Sequence, residues 1–288
     1  MENISIGSAG FECGGYGRTR SMYKSGKAGF AKILAGIAAV VMCMFYIMMI
    51  TVPILAIVAN TGLHGILSAL ENPGAFSAIR LSLTTTAAAL VMTFLFGTPA
   101  AFFIYRPGPT VLSRVLGVVS AIPVVLPPAV AGIALLLAFG RNSPIGALFA
   151  RFDIGIVFTP LAVILAQFFV SSGFYIQVLG TGIRSVQPEI YEVSYVLGAG
   201  RLETFFNIII PMLSKPVLAG LILAWSRSMG EFGATMMFAG NLEGVTRTMP
   251  LEIYTLMQTD ITQAAGMSLI LVSISFAALF AVKIRLQE

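Results

Sequence analysis

Five stretches of this chain contain no Asp, Glu, Lys or Arg: residues 33–59, 81–105, 115–140, 154–183 and 261–282. A helix needs about 20 mostly apolar residues to cross about 30 Å of hydrocarbon, and even the shortest run, with 22 positions, has that reach. A sixth apolar stretch, 216–242, is long enough but is interrupted by Arg227 and Glu231. Barrel strands would leave short alternating segments instead, and these are missing. The chain is therefore expected to be an all-α integral membrane protein with six transmembrane helices.

Composition agrees with this. Hydrophobic residues make up 57% of the chain and charged residues 10%, against about 25% charged in an ordinary soluble domain. Lipid is the main solvent, and no soluble domain is expected. A net charge of +5 could point to nucleic acid, but its distribution is topological. With the N-terminus in the cytoplasm, one side receives Arg18, Arg20, Lys24, Lys27, Lys32, Arg106, Arg114, Arg184, Arg201, Lys215, Lys283 and Arg285. The other side receives Arg80, Arg141, Arg151 and Arg247. Basic residues gather on the cytoplasmic side, so both termini are expected there, and so is the loop 184–215.

Residues 1–31 are rich in Gly, Ser and basic groups and are expected to form a loosely ordered, polar cytoplasmic tail ahead of a transmembrane domain, 32–288. The first apolar run far exceeds the about 7–15 residues of a signal-peptide core. Cys13 lies in the polar tail and Cys43 in an apolar run, an arrangement that suits neither a disulfide nor a metal cluster. His64 is expected in an external loop as a solvated residue, and Glu243, Glu252 and Asp260 show no metal-ligand spacing. Neither a metal site nor a catalytic set is expected, and the chain is not expected to be an enzyme.

The loop between the fourth and fifth spans carries recurring charge: "VSYVLGAGRLETFFNIIIPML", residues 193–213, preceded by Glu189 and Glu192. Pro188 suits a first helical turn, and Glu189 and Glu192 then lie near the positive end of the helix dipole. The helix is expected to run to Leu197 and stop at Gly198 in a left-handed cap. After Gly200, Leu202, Phe205, Phe206 and Ile209 recur at helical spacing, so a second helix is expected, ended by Pro211. Two short helices around a Gly198-Ala199-Gly200 corner could rest on lipid headgroups or dock a partner; the residues alone leave both open.

Arg227 and Glu231, four residues apart, are expected to share one face of the fifth span. A lone charge at the bilayer centre costs about 2.5–3.5 kcal/mol. The pair therefore either locks this helix to its neighbours or lines a conduit for an anion. Gly230, Gly233 and Ala234 supply small residues for close helix contact. Pro127 and Pro128 each remove a backbone donor and are expected to kink the third span, either for packing or along a path. Met236, Met237 and Phe238 are candidates for an external gate or for plain packing.

Glu192, Gly198, Ala199, Ile208 and Pro211 match in spacing the cytoplasmic Glu-Ala-Ala loop of ATP-binding-cassette importer permeases. Val193, Ser194 and Ile210 depart from it, standing in for two alanines and a leucine. "SRSMGEFGATMMFAGN" (226–241), "TRTMPLEIY" (246–254) and "IPVVLPPAVAGIALLLAFGRNSPIG" (122–146) resemble the molybdate branch of these permeases; the tungstate and sulfate branches are near neighbours. The likeness covers about 77–282.

The resemblance implies the transmembrane domain of a type I importer whose loop 184–215 holds the cytoplasmic coupling helices. Glu189, Glu192, Val193, Ser194, Gly198, Ala199, Gly200 and Pro211 would then couple to an ATPase. It further implies two permease copies (a homodimer), two ATPase subunits that bind ATP and Mg, and an extracytoplasmic oxyanion-binding protein. Arg227, Glu231, Gly233, Pro127 and Pro128 become candidates for the translocation path. The sequence contains no G-x-x-x-x-G-K-[ST] motif, so any ATP chemistry belongs to another polypeptide. An ion-driven secondary transporter is the rival reading; it would more often carry several intramembrane carboxylates, whereas Glu231 is the single acidic residue well inside a span.

Overall fold

The computed structural model describes residues 16–105, 108 and 110–287, and among these the side-chain surroundings of all but 16–31, 201–202, 281–283 and 285–287. Every regular element among the described residues is helical. The chain divides into two compact units, residues 1–60 and 61–288.

The first unit contributes most of helix α1, Tyr16–Glu71. The helix begins inside the segment expected as a loosely ordered tail; residues 1–15 lie outside the described residues. Apolar side chains such as Met42, Phe45 and Leu55 stand exposed along it, which is what a lipid-facing helix requires. Further along α1, Gly62 takes φ 55, a left-handed conformation that only glycine adopts cheaply. Gly62 is non-helical and kinks α1, and His64 lies in the helical stretch beyond the kink, not in a loop.

The second unit holds the remaining elements. Helix α2 is Pro73–Tyr105, α3 Val111–Val125, α4 Pro128–Phe139, α5 Pro144–Ala150 and α6 Pro160–Ser185. Then come α7 (Pro188–Val196), α8 (Arg201–Thr204), a π-helical turn (Phe205–Ile209), α9 (Ile210–Met212) and α10 (Ser214–Met229). Helices α11 (Gly233–Phe238), α12 (Met249–Met257) and α13 (Ile261–Gln287) complete the chain. Among the described residues four helices are long and apolar enough to cross a membrane, or up to six if each of two bent pairs counts as one span.

The α3–α4 pair is broken by 116° rather than merely kinked. Pro123 sits inside α3 without ending it, whereas α3 stops at Val125 and α4 restarts at Pro128. Consecutive prolines remove two donors and bar the preceding residue from helical backbone; Leu126 accordingly takes ψ 131. The pair still progresses along α6. Ser113 and Arg114 share a groove with Ile183 and Arg184, Gly173 packs on Ser120 and Val124, and Ala131 and Leu135 share a buried cluster with Ala162, Val163 and Ala166. These levels run in opposite order along α6, so α3 and α4 together make one broken span.

Helix α6 is the hub, packing against α2, α3, α4, α10 and α11. Its Tyr175 is fully buried. A Cβ added to Gly97 of α2 or to Gly220 of α10 would each come within 2.9 Å of the Tyr175 ring. Two glycines thus open the slot that the ring fills, and its hydroxyl pairs with Thr98 Oγ1 at 2.6 Å. Small residues that admit a large neighbour are the usual means of close helix packing in lipid.

Candidate functional site

The segment 188–213 folds largely as its pattern dictates. Pro188 opens α7 with Glu189 in its first turn. Gly198 has φ 86, its N–H donates to the Tyr195 carbonyl, and the Ala199 N–H donates to the Ser194 carbonyl, both at 3.0 Å. This pair of bonds is a Schellman motif. The remainder was not legible. Ser194, one of the departures from the loop pattern, is buried; its hydroxyl donates to the Tyr191 carbonyl at 2.8 Å and accepts from Thr204 Oγ1 at 3.0 Å. That stitch ties α8 back onto α7. Burial pushes the Tyr191 phenol above its ordinary pKa, with Tyr195 adding to the shift, so Tyr191 stays neutral.

Pro211 does not end the second helix. The helix continues to Met212, and the 57° bend falls at Leu213. Immediately before the proline the backbone widens into a π turn, in which the Ile210 N–H donates to the Phe205 carbonyl five residues back. The wider register accommodates a residue that lacks a donor and crowds the preceding turn. Of the expected apolar stripe, Ile209 is buried, Phe206 is exposed, and Phe205 packs edge-on against Phe102 at 4.7 Å; the Leu202 side chain lies outside the described residues.

Helix α7 displays its tip. Val193, Val196 and Leu197 are 56%, 87% and 81% exposed, and Glu189, Glu192, Gly198 and Gly200 are exposed beside them. Val193 and Val196 on the helix and Leu197 at its C-cap form an exposed apolar tip, beside the corner that the Ser194–Thr204 bond ties down.

The second candidate region lies inside the bundle and corrects the expectation of a continuous fifth span. Helix α10 stops at Met229 with Gly230 as its C-cap, and α11 starts at Gly233. Arg227 and Glu231 therefore do not share one helical face. They pair across the break, Arg227 Nη1 to Glu231 Oε2, at 2.7 Å. The Glu231 Oε1 atom accepts the Ala234 N–H at 2.7 Å. Each charge matches the helix end beside it: Arg227 lies in the last turn of α10, and Glu231 precedes the first turn of α11.

The two breaks pack on each other. A Cβ added to Gly233 would come within 2.8 Å of Pro128 Cβ, and one on Gly132 within 2.7 Å of the Ala234 carbonyl oxygen. The α3–α4 break at Pro127 and Pro128 thus lies against Gly233, the residue that opens α11 just after the Arg227–Glu231 pair. Gly230, expected at a helix contact, is exposed instead. Phe238 is fully buried beside Phe139 and belongs to the core, whereas Met237 is 44% exposed. The Arg227 side chain is 28% exposed while that of Glu231 is sealed. A charged group on the protomer surface at this depth is costly against lipid, so this face suits a watery path or a partner chain.

Behind the pair runs a polar seam with no sequence signal beyond isolated polar letters. Gln167 Nε2 donates to Thr86 Oγ1 at 3.3 Å and to the Ser228 carbonyl at 3.2 Å. Elsewhere, Arg247 reaches Asn241 Oδ1 at 3.0 Å and both Glu243 and Glu252 at 3.3 Å. Glu252 lies on α12. No group of three or more His, Cys, Asp or Glu residues suited to a metal occurs among the described residues.

Residues 94–285 match the family described as binding-protein-dependent transport system inner membrane component. The chain is 47% identical over 271 residues to the probable transport system permease protein NifC of Clostridium pasteurianum, covering 93% of this chain and 94% of that one. It is 38% identical over 229 residues to the molybdenum transport system permease protein ModB of Mycobacterium bovis, covering 80% of this chain and 86% of the relative. Among solved structures, a bacterial ABC transporter involved in the import of the acidic polysaccharide alginate superposes with a TM-score of 0.68 at 14% identity, covering 94% of this chain and 98% of that chain.

Proposed function

Because the chain belongs to the family of inner membrane components of binding-protein-dependent transport systems, we propose that it is the permease subunit of an ATP-binding-cassette importer that carries molybdate into the cytoplasm. The observation that carries this reading is the α7 knob: a glycine-capped helix that leaves Val196 and Leu197 almost wholly exposed. Apolar side chains presented on a rigid corner favour a protein groove over a headgroup surface, because a fixed angle matters only to a shaped partner.

In this reading residues 188–211 face the cytoplasm and seat in an ATPase subunit, which binds ATP and Mg. Two copies of the permease, each with its ATPase, enclose the path, and both termini lie inside. The surface that carries Arg227, Pro127 and Pro128 faces the path between the copies. An extracytoplasmic binding protein delivers the oxyanion. Closure of the ATPases draws the two knobs together and turns each protomer between two global states.

The test is ATP hydrolysis by the complex reconstituted with its binding protein, stimulated in turn by molybdate, tungstate and sulfate. Stimulation by molybdate at the lowest concentration is expected. Leu197→Asp should lower ATPase affinity about ten- to hundredfold, the equivalent of one apolar side chain left unburied. Equal stimulation by sulfate would overturn the choice of ion, and unchanged ATPase binding by the variant would overturn the role of the knob.

A further inference from the structure

Resting on the reading of this chain as an oxyanion permease, we propose that Glu231 is the resident counter-anion of Arg227, which keeps the pathway neutral so that the passing oxyanion is exchanged and not retained.

The two partners are held unequally. Glu231 is 1% exposed, and one of its oxygens is fixed by the Ala234 N–H at 2.7 Å. Arg227 has no comparable anchor. Among the described residues its guanidinium is held by the single contact of 2.7 Å to Glu231 Oε2, and the Arg227 side chain is 28% open to its surroundings. Glu231 is the fixed member and Arg227 the one able to turn toward an incoming anion without leaving its helix.

Chemistry gives this asymmetry a purpose. A bare guanidinium in a narrow, partly desolvated passage offers forked donors to any tetrahedral oxyanion and would hold a dianion strongly. Retention slows release, which a conduit must avoid. A carboxylate anchored alongside takes the place of the oxyanion whenever none is present. Binding to Arg227 then replaces one charge-assisted contact with another, and the net gain stays small. Position reinforces the arrangement, since Arg227 lies in the last turn of α10 and Glu231 accepts the Ala234 N–H of α11. Selectivity is thereby left to the binding protein, and Glu231 sets the speed of passage.

The deciding variant is Glu231→Gln, which keeps an oxygen for the Ala234 N–H and nearly the same volume while removing the charge. In the purified permease–ATPase complex without its binding protein, this variant should retain radiolabelled molybdate about tenfold more tightly, or better, than the wild type. Uptake into proteoliposomes should fall by a similar factor. The double variant Arg227→Gln/Glu231→Gln should lose the retention and regain uptake relative to the single variant.

Wild-type retention by Glu231→Gln, or retention that persists in the double variant, overturns the proposal and leaves the pair as a lock between helix ends. Should Glu231→Gln fail to assemble, Glu231→Asp keeps both charges and the forked donors of Arg227 while drawing the carboxylate back from the guanidinium; raised molybdate retention supports the proposal and unchanged retention overturns it. Failure of the wild-type complex to move any oxyanion would instead strike the functional reading itself, a result distinguishable from these because retention needs no turnover.

Discussion

Gly233 rests on Pro128 with no room between them: a Cβ on the glycine would lie 2.8 Å from the proline Cβ and 3.2 Å from the Ala129 nitrogen. Each residue marks a break in its own span, so the two discontinuities form one joint. Gly233→Ala should cost about 1–3 kcal/mol, because the obstacle includes backbone and a proline ring that cannot rotate away. Gly230→Ala, whose Cβ would meet nothing nearer than the Ser226 carbonyl at 3.5 Å, should stay within about 0.5 kcal/mol. Thermal unfolding of the two variants in detergent compares them directly.

The corner at Gly198 gives a second expectation. Its φ of 86 is beyond the reach of proline, so Gly198→Pro must undo the Schellman motif and re-aim α7. Glu192→Lys reverses an exposed charge on the same knob. Both variants should insert normally and abolish substrate-stimulated ATP hydrolysis in the assembled complex. Membrane insertion by fractionation and ATPase stimulation in liposomes are the two readouts, and normal coupling in both variants would count against the knob.

Ser194 and Thr204 offer a test of the stitch. Both are buried and share a 3.0 Å bond. Ser194→Ala and Thr204→Val should each cost about 1 kcal/mol, with a double variant costing less than the sum because the partner is no longer stranded. Hydrogen exchange of the α7 amides would register the loosened knob before any loss of global stability.

The Arg247 clamp yields a fourth. Glu252 is buried, and its Oε1 lies where a Cβ on Gly74 would approach to 2.9 Å, so it connects the start of α2 to the 241–252 segment. Glu252→Gln should destabilise the protein by about 1–3 kcal/mol through the incompletely compensated Arg247. Glu243→Gln, with a side chain 59% exposed, should change stability by less than about 0.5 kcal/mol. Melting temperatures measured side by side decide between them.

The spans were readable because absence of charge over twenty positions has a single physical meaning in lipid. The α7 corner was readable because proline, carboxylate and glycine each have a positional preference that acts locally. What escaped the sequence depends on partners far along the chain. The Arg227–Glu231 spacing fits a continuous helix as well as a broken one, and it is Glu231 capping Ala234, with α11 seated on Pro128, that decides for the break. Pro211 announced a helix end, yet a π turn absorbed it. The Ser194–Thr204 bond looked like a weak departure from a pattern until the fold brought the two hydroxyls together. Helices α5 and α12 are too short for periodicity to separate them from loop.

Tyr175 carries a mechanical implication. A ring set like a dowel into notches on both neighbouring helices forbids α2, α6 and α10 from sliding lengthwise past one another. Any movement of this part of the molecule must therefore swing these three rods together, as a door swings, and the breaks in the helices are left at Leu126 and at Gly230.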